Sequence, residues 1–323
     1  MRPEDDYTHP VGAEANFNES MYFHFYDPNE RLGGFVRLAN RPNEGRGEMT
    51  VCLYLPDGEV AFSFGRPEVS SNDRFDAARL RFVVREPMRR HKVSYCGDVF
   101  LIHDPSALSD PRTAFRSSPQ LPCALELDIT ATAPASAHTF ETAGGAFAPN
   151  HYEQLLSARG RLRVGRRVVQ ISGHGLRDHS WGPRHWQAPW FYRWVHGAAE
   201  DFGFMGAWFG QRDGSALRGG FVWDGDTLSE LDSLEIASER DDRDEQVAMT
   251  VVLRSAGREW KLDGTVLAKV PLRHRREAAD GVVQTTRIVE GLTKWALPDG
   301  RVLHGMSEYL DQIVEGRPAG LGV

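Results

Sequence analysis

The chain has 323 residues, of which 41% are hydrophobic and 26% are charged. These fractions are typical of a globular protein with one large or two smaller domains, and they exclude a disordered chain, a collagen-like fibre and a disulfide-rich miniprotein. A net charge of −7 disfavours a nucleic-acid-binding protein, which needs a basic surface. We therefore expect a globular protein without a nucleic-acid partner.

Cysteine usage and hydropathy indicate the compartment. The chain has an odd number of cysteines, Cys52, Cys96 and Cys123, which are widely spaced and form no CxxC pattern. This usage favours a reducing compartment. Residues 1–20 have no apolar signal-peptide core, and no stretch reaches the 18 or more apolar residues of a transmembrane helix. We expect a cytoplasmic protein without membrane insertion; its assembly state is left open, with a homodimer as one option.

Along the chain, a polar arm (residues 1–20) precedes a series of alternating apolar segments separated by glycine-rich turns. Such alternation predicts β-strands. Strands are predicted around 22–26, 35–38, 51–55, 80–84, 125–129, 162–164, 168–171, 247–253, 265–270, 282–289 and 302–309, with 162–164 and 168–171 forming a hairpin around Gly165-Arg166. Short helices are predicted at 74–80 and 152–158, and residues 132–149, rich in Ala, Gly, Pro and Thr, are the predicted linker.

A faint internal duplication relates residues 22–60 to residues 190–228. Each segment has an aromatic strand, a turn, an apolar strand, a polar loop, a further strand and an Asp-Gly turn. Many short strands at regular spacing favour a sandwich or a barrel. A true duplication predicts two similar β-barrels.

Residues 173–194, GHGLRDHSWGPRHWQAPWFYRW, form the most informative segment. It contains three His and three Arg, and five of the eight Trp of the chain lie between Trp181 and Trp208. Gly173, Gly175 and Gly182 predict sharp turns or close approach of the backbone to another element.

Several interpretations of this segment compete. In the first interpretation, the segment has only a structural role: its tryptophans form a core, and Asp178 pairs with Arg177 or Arg184. A metal site would use His174, Asp178, His179 and His185, but no HExxH spacing occurs, and neighbouring strand residues point to opposite faces. A serine hydrolase at Ser180 is disfavoured without a GxSxG motif. We expect neither a metal nor a cofactor.

A further interpretation is an aromatic-walled pocket for a small molecule. Tryptophan faces would desolvate the carboxyl of Asp178 and raise its pKa, which makes it a general acid. They would also stabilise a carbocation. Outside the segment, His151, Tyr152 and Glu153 are either a surface turn or a proton relay at the mouth of the pocket. His24 and Arg37 are candidates for contact with the substrate.

The stretches GGFVRLANRPNEG, HYEQ and GHGLRDHSWGPRHW resemble a bacterial family of the lipocalin-like carotenoid hydratase superfamily. That superfamily includes hydroxyneurosporene synthase and fungal hydratases of prenylated compounds, and related tandem proteins catalyse cyclisations. The resemblance covers roughly residues 15–312. It implies an all-β fold of two consecutive lipocalin-like antiparallel β-barrels packed together, and it makes Asp178, His179, Trp181 and Arg184 important.

The resulting hypothesis divides the chain into an N-terminal arm (1–20), a first barrel (21–140) and a second barrel (141–323). The function is cofactor-independent acid–base catalysis on a terpenoid-, steroid- or polyketide-like molecule by hydration, dehydration, isomerisation or cyclisation. The predicted catalytic residues are Asp178, His179, Tyr152, Glu153 and His151. The predicted substrate-binding residues are Trp181, Arg184, Trp186, Trp194, Trp208, His24 and Arg37. The alternative is a non-catalytic carrier of lipophilic ligands.

Overall fold

A computed structural model of the chain describes residues 1–137, 141–142, 145–146, 149–277, 281 and 283–322. The strands are β1 (Phe17–Asp27), β2 (Leu32–Arg41), β3 (Arg46–Tyr54), β4 (Val60–Gly65), β5 (Asp76–Ala77), β6 (Leu80–Glu86), β7 (Arg90–Ile102), β8 (Gln120–Ala131), β9 (Ser136–Ala137), β10 (Glu141–Thr142), β11 (Gly145–Ala146), β12 (Asn150–Val164), β13 (Arg167–Pro183), β14 (Phe191–Ala198), β15 (Gly203–Gly210), β16 (Ala216–Trp223), β17 (Leu228–Glu230), β18 (Ser233–Arg240), β19 (Gln246–Ser255), β20 (Arg258–Glu277), β21 (Val283–Ala296), β22 (Val302–Val314) and β23 (Arg317–Pro318).

Helical structure is confined to short turns in the described residues. Three 3₁₀ helices cover Pro3–Asp6, Pro42–Glu44 and Pro105–Ser109, and the α-helix α1 covers Pro111–Ser117. A helix that crosses a bilayer needs roughly 20 apolar residues. No described helix has the length and apolar character to do so.

The first of two compact units contains residues 1–104, 111–139 and 148–184. Its strands pair antiparallel in the order β4-β3-β2-β1-β13-β12-β8-β7, and β7 also pairs with β4, which closes a barrel. Alternate residues of these strands point inward and form one hydrophobic core, in which Met21, Phe23, Leu127 and Leu156 are almost fully buried.

The second unit contains residues 105–110, 140–147 and 185–323. Its strands pair antiparallel in the order β17-β16-β15-β14-β22-β21-β20-β19-β18. Its core includes Phe204, Trp295 and Tyr309. Arg193 is buried there too, where it pairs with Asp311 at 2.9 Å.

The predicted all-β fold with two antiparallel units is therefore confirmed. The two segments related by the predicted duplication each form a three-stranded meander, β1-β2-β3 and β14-β15-β16. The helix predicted at 152–158 was wrong: these residues are part of β12, whose two faces are both largely buried. At 74–80, only the short strand β5 and the start of β6 are found.

The two units divide after Arg184, whereas the sequence placed the boundary at residue 140. The reason is strand pairing, because β12 pairs with β8 and β13 pairs with β1, so residues 150–183 complete the first barrel. Residues 138–140, 143–144 and 147–148 of the predicted linker lie outside the described residues.

Two glycines of β13 allow the close approach that the sequence predicted. A Cβ atom on Gly175 would lie 1.9 Å from the carbonyl oxygen of His24, and one on Gly173 would lie 2.0 Å from that of Tyr26. Both oxygens belong to β1, the neighbouring strand. Small residues at these positions therefore set the distance between β1 and β13.

We predict that Gly175→Ala lowers the free energy of unfolding by about 1–3 kcal/mol, because the new methyl group overpacks the β1–β13 contact. The measurement is urea unfolding followed by circular dichroism. Gly219→Ala on β16 is the control, since no atom lies within 4 Å of a Cβ placed there. An equal effect of both substitutions would contradict this explanation.

Candidate functional site

Neighbouring residues of β13 point to opposite faces of the barrel wall, as the two-residue period of a strand requires. Arg177, His179 and Trp181 point to the side of the hydrophobic core, which we call the core face. Asp178 and Ser180 point to the other side, which we call the polar face. Asp178 and His179, which the sequence-based mechanism paired, are thus separated by the strand itself.

The polar face brings six of the predicted site residues into one region. Cross-strand pairing forms one row of Arg37, Tyr22, Asp178 and Glu153 over four strands. An adjacent row contains Ser20, Ser180 and His151, and the row on the other side contains Phe35, His24, Leu176 and Leu155. Arg184 joins this region because its guanidinium donates a hydrogen bond to Ser180 Oγ at 2.9 Å.

His151 lies between two carboxylates on this face. Its Nε2 atom is in very close contact with Asp178 and lies 3.3 Å from Oε1 of Glu153. Glu153 is fully buried, whereas His151 and Asp178 keep 11% and 16% of their side-chain surface exposed. The cluster therefore has a small exposed surface at His151 and Asp178, whereas the Glu153 side chain is closed off from solvent.

The electrostatics of this cluster differ from those expected from the sequence. Burial alone would lower the pKa of His151, but the charges of Glu153 and Asp178 outweigh it and raise the pKa to about 8. For Asp178, burial raises the pKa, but His151 and Arg184 outweigh it, so the net shift is downward. The expectation that tryptophans raise the pKa of Asp178 was wrong, because its neighbours are cationic side chains. The group that holds a proton near neutral pH is His151.

On the core face, a buried ion pair fixes the N-terminal arm. Arg177 donates to Asp6 Oδ1 at 2.7 Å, and both side chains are almost fully buried. Asp6 also accepts hydrogen bonds from His91 and from the Tyr152 hydroxyl, at 2.9 Å each. Gln154 binds Arg177 through two hydrogen bonds of 2.9 and 2.6 Å. The Arg177 guanidinium thus donates hydrogen bonds to several acceptors inside the barrel.

This network continues to His179. The Nδ1 atom of His179 lies 3.1 Å from the Tyr152 hydroxyl, and its Nε2 atom lies 2.8 Å from Oε1 of Glu19. The same oxygen is 2.7 Å from Nδ1 of His9, whose ring stacks on Trp181 with centroids 3.8 Å apart. Burial raises the pKa of Glu19, but hydrogen bonds from His179 and His9 outweigh it and lower the pKa to about 2.

The other predicted tryptophans belong to the second unit. Trp208 is part of its hydrophobic core and lies under the Arg218 guanidinium at 3.8 Å. Trp194 contacts the His196 ring at 4.8 Å, and the carbonyl of Trp186 accepts a hydrogen bond from Gln312. Their roles in a substrate pocket remain a prediction.

The first unit also has a surface cavity of about 560 Å³. Its wall includes Met1, Met88, Arg90, Thr132 and Gln154. None of the predicted catalytic or substrate-binding residues lines it.

Sequence reasoning missed Asp6, His9, Glu19, His91 and Arg177 as members of one network. Asp6 and Arg177 are 171 positions apart, and no short motif connects them. The arm was expected to be a polar lead-in, yet Asp6 is fully buried. The one available signal was the run of carboxylates at the start of the chain, which indicates solvent exposure as readily as burial.

We predict that Asp178→Asn lowers the pKa of His151 below about 8, because the substitution removes one of the two negative charges beside the imidazole while burial remains. NMR titration of the His151 ring protons measures this pKa. Asp128→Asn, which removes an exposed carboxylate on β8, is the control and should leave it unchanged. An unchanged His151 pKa in Asp178→Asn would contradict the assigned ion pair.

Comparison with known proteins finds solved structures of similar fold and a family that matches the sequence. Among solved structures, an AttH-like protein from Nitrosomonas europaea matches with 15% identity and a TM-score of 0.57, covering 96% of this chain and 98% of its own. Kievitone hydratase from Nectria haematococca matches with 10% identity and a TM-score of 0.55, covering 96% and 92%.

CghA in complex with Sch210972 matches with 12% identity and a TM-score of 0.53, covering 95% of this chain and 94% of its own. These likenesses concern the fold. No curated protein matches the chain. Residues 2–313 match the family described as a domain of unknown function, DUF7064, and the chain therefore belongs to that family.

Proposed function

We propose that the protein is a hydratase- or cyclase-type enzyme that acts on a hydrophobic small molecule by acid–base chemistry of its own side chains. The observation that carries the proposal is the His151 imidazole, held between the carboxylates of Asp178 and Glu153 at a partly exposed edge. An acid and a base that lie side by side can give and remove a proton in one catalytic cycle.

In a hydration, protonated His151 donates its Nε2 proton to the substrate. Water then adds to the electron-poor carbon that results, and Asp178 or Glu153 takes the proton that the water loses. When the first proton goes to a carbonyl oxygen conjugated with the double bond, the product at this stage is an enol. The carboxyl group then gives its proton to the other carbon of the former double bond, and the enol O–H returns its proton to Nε2, which restores the starting state. The net change is the addition of one water molecule to a double bond, and the reverse sequence is a dehydration.

The pKa of His151 restricts the substrate. A group with a pKa of about 8 is too weak an acid to protonate an isolated alkene, and its proton suits an oxygen atom or an enolate. The preferred substrate therefore has its double bond conjugated to a carbonyl group. Without that oxygen, no stabilised intermediate would form.

The surroundings of the cluster favour an apolar skeleton for this substrate. Phe35, Leu176 and Leu155 occupy the row beside Asp178, and the Tyr22 ring stacks on Phe35 with centroids 5.3 Å apart. Arg37 and Arg184 lie at the edges of the same face and would bind an anionic oxygen. A terpenoid-, steroid- or polyketide-like molecule meets these requirements.

The structural neighbours support the proposal. One of them is named as a hydratase, and another was solved with a small organic molecule bound. Proteins of this fold thus include one named as a hydratase and one solved with Sch210972. The identities of 10–15% carry no residue roles, so the assignment of His151, Asp178 and Glu153 depends on the geometry of this chain.

His179 and Tyr152 have a positioning role in this proposal. Their hydrogen bond joins β13 to β12 on the core face, directly behind Asp178 and His151. Because they point away from the polar face, they do not touch the substrate.

We predict that His151→Gln reduces kcat by about 100-fold or more, because the proton donor is lost. The assay incubates the protein with terpenoid, steroid and polyketide enones, and liquid chromatography with mass spectrometry detects a gain or loss of 18 Da or an isomer of unchanged mass. In the wild type, the rate should fall as pH rises through about 8, since His151 then loses its proton. In Asp178→Asn this decline should move to lower pH.

His103→Gln is the matched control, because His103 is an exposed histidine that also contacts a carboxylate, Glu59. It should keep wild-type kcat. Full turnover in both His151→Gln and Asp178→Asn would exclude this site. Tight binding of panel members without turnover by any form would instead identify a carrier of lipophilic ligands.

A further inference from the structure

A second group of potential ligands lies on the core face, away from the proposed catalytic cluster. It consists of His9, Glu19 and His179, and we call it the arm cluster. One donor atom from each side chain lies within 4.8 Å of the other two. The Glu19 and His179 side chains are fully buried, and that of His9 is 18% exposed. The cluster is therefore enclosed but reachable from the side of the arm.

Two imidazole nitrogens converge on one carboxylate oxygen here. Nδ1 of His9 and Nε2 of His179 lie 2.7 and 2.8 Å from Oε1 of Glu19. Zinc binds nitrogen and oxygen at about 2.0–2.2 Å in tetrahedral geometry, which separates neighbouring ligand atoms by roughly 3.3 Å. Movements of about half an ångström would open space for an ion among these three atoms.

The polar atoms that would not bind the ion already have suitable partners. If Nε2 of His179 bound a metal, its Nδ1–H would donate to the Tyr152 oxygen at 3.1 Å, and the Tyr152 hydroxyl would donate to Asp6 at 2.9 Å. Oε2 of Glu19 accepts the backbone N–H of His9 at 2.8 Å and is also in contact with the Asn72 amide. Such outer contacts orient the ligands of metal sites.

His9 also fits this arrangement. Its ring is fixed by stacking on Trp181, so Nδ1 is directed at the cluster. Nε2 is buried and makes no hydrogen bond to any described residue, while Oδ1 of Asp5 lies 3.9 Å away. Metal binding would move the ring proton from Nδ1 to Nε2, where this carboxylate stabilises it. Both imidazoles can therefore become ligands by exchanging tautomers, without a net loss of protons.

From these contacts we propose that His9, Glu19 and His179 bind a divalent transition-metal ion of the zinc class. Two imidazoles and one carboxylate are ligands that Zn²⁺ accepts, and three protein ligands leave a fourth position for water. The ion would join the N-terminal arm to β1 and β13 and so fix the wall that carries Asp178 on its other face. This inference is independent of the proposed catalysis.

The test is calorimetric titration of the full chain, freed of any affinity tag and of bound metals by chelation, with Zn²⁺. We expect one ion per chain and a rise in the melting temperature. Co²⁺ should give the visible absorption of a tetrahedral site with nitrogen and oxygen ligands. His9→Ala and Glu19→Gln should each weaken Zn²⁺ binding by at least about tenfold.

The controls are histidines outside the arm cluster. His103→Gln should bind Zn²⁺ like the wild type. His151→Gln should do so too, although it removes a donor from the other group of close potential ligands, His151, Glu153 and Asp178. Circular dichroism verifies the fold of each variant, and His9→Ala is the most informative because its side chain is the most exposed of the three. The proposal is overturned if no saturable binding tighter than roughly 100 μM occurs, if binding survives in both His9→Ala and Glu19→Gln, or if it is lost in His151→Gln.

Discussion

The antiparallel pairing of β12 with β13, with its two-residue side-chain period, is the constraint on which both proposed sites depend. Tyr152 is paired with His179, and Glu153 is paired with Asp178, so each pair occupies its own face of the barrel wall. A shift of one residue in this register would exchange the two faces and bury the wrong charges. Strand pairing therefore decides which titratable groups meet.

The same kinds of side chain behave differently on the two faces because their surroundings differ. On the core face, the buried carboxylate of Glu19 has two imidazole partners, and we propose that these three side chains bind a cation. On the polar face, His151 has two carboxylate partners at a partly exposed edge, which keeps a proton on the imidazole.

The ion pair between Arg177 and Asp6 explains why a polar arm is part of the barrel. Breaking such a buried pair costs about 3–5 kcal/mol, because it leaves an uncompensated charge in the core. Here Asp6 has Arg177, His91 and Tyr152 as partners, so its charge is well satisfied. The arm also carries His9, and the anchoring of Asp6 brings that imidazole within reach of Glu19.

The amino-acid sequence by itself determined the all-β fold, because alternation of apolar residues and glycine-rich turns are local signals. It also singled out Asp178, Glu153 and His151, which the structure brings together. Only the tertiary structure decided that His151 holds the proton, that His179 lies behind the strand, and that Asp6, His9 and Glu19 join it there. The physical reason is that a pKa and a ligand set depend on distances between residues far apart in the chain, and local sequence patterns do not contain those distances.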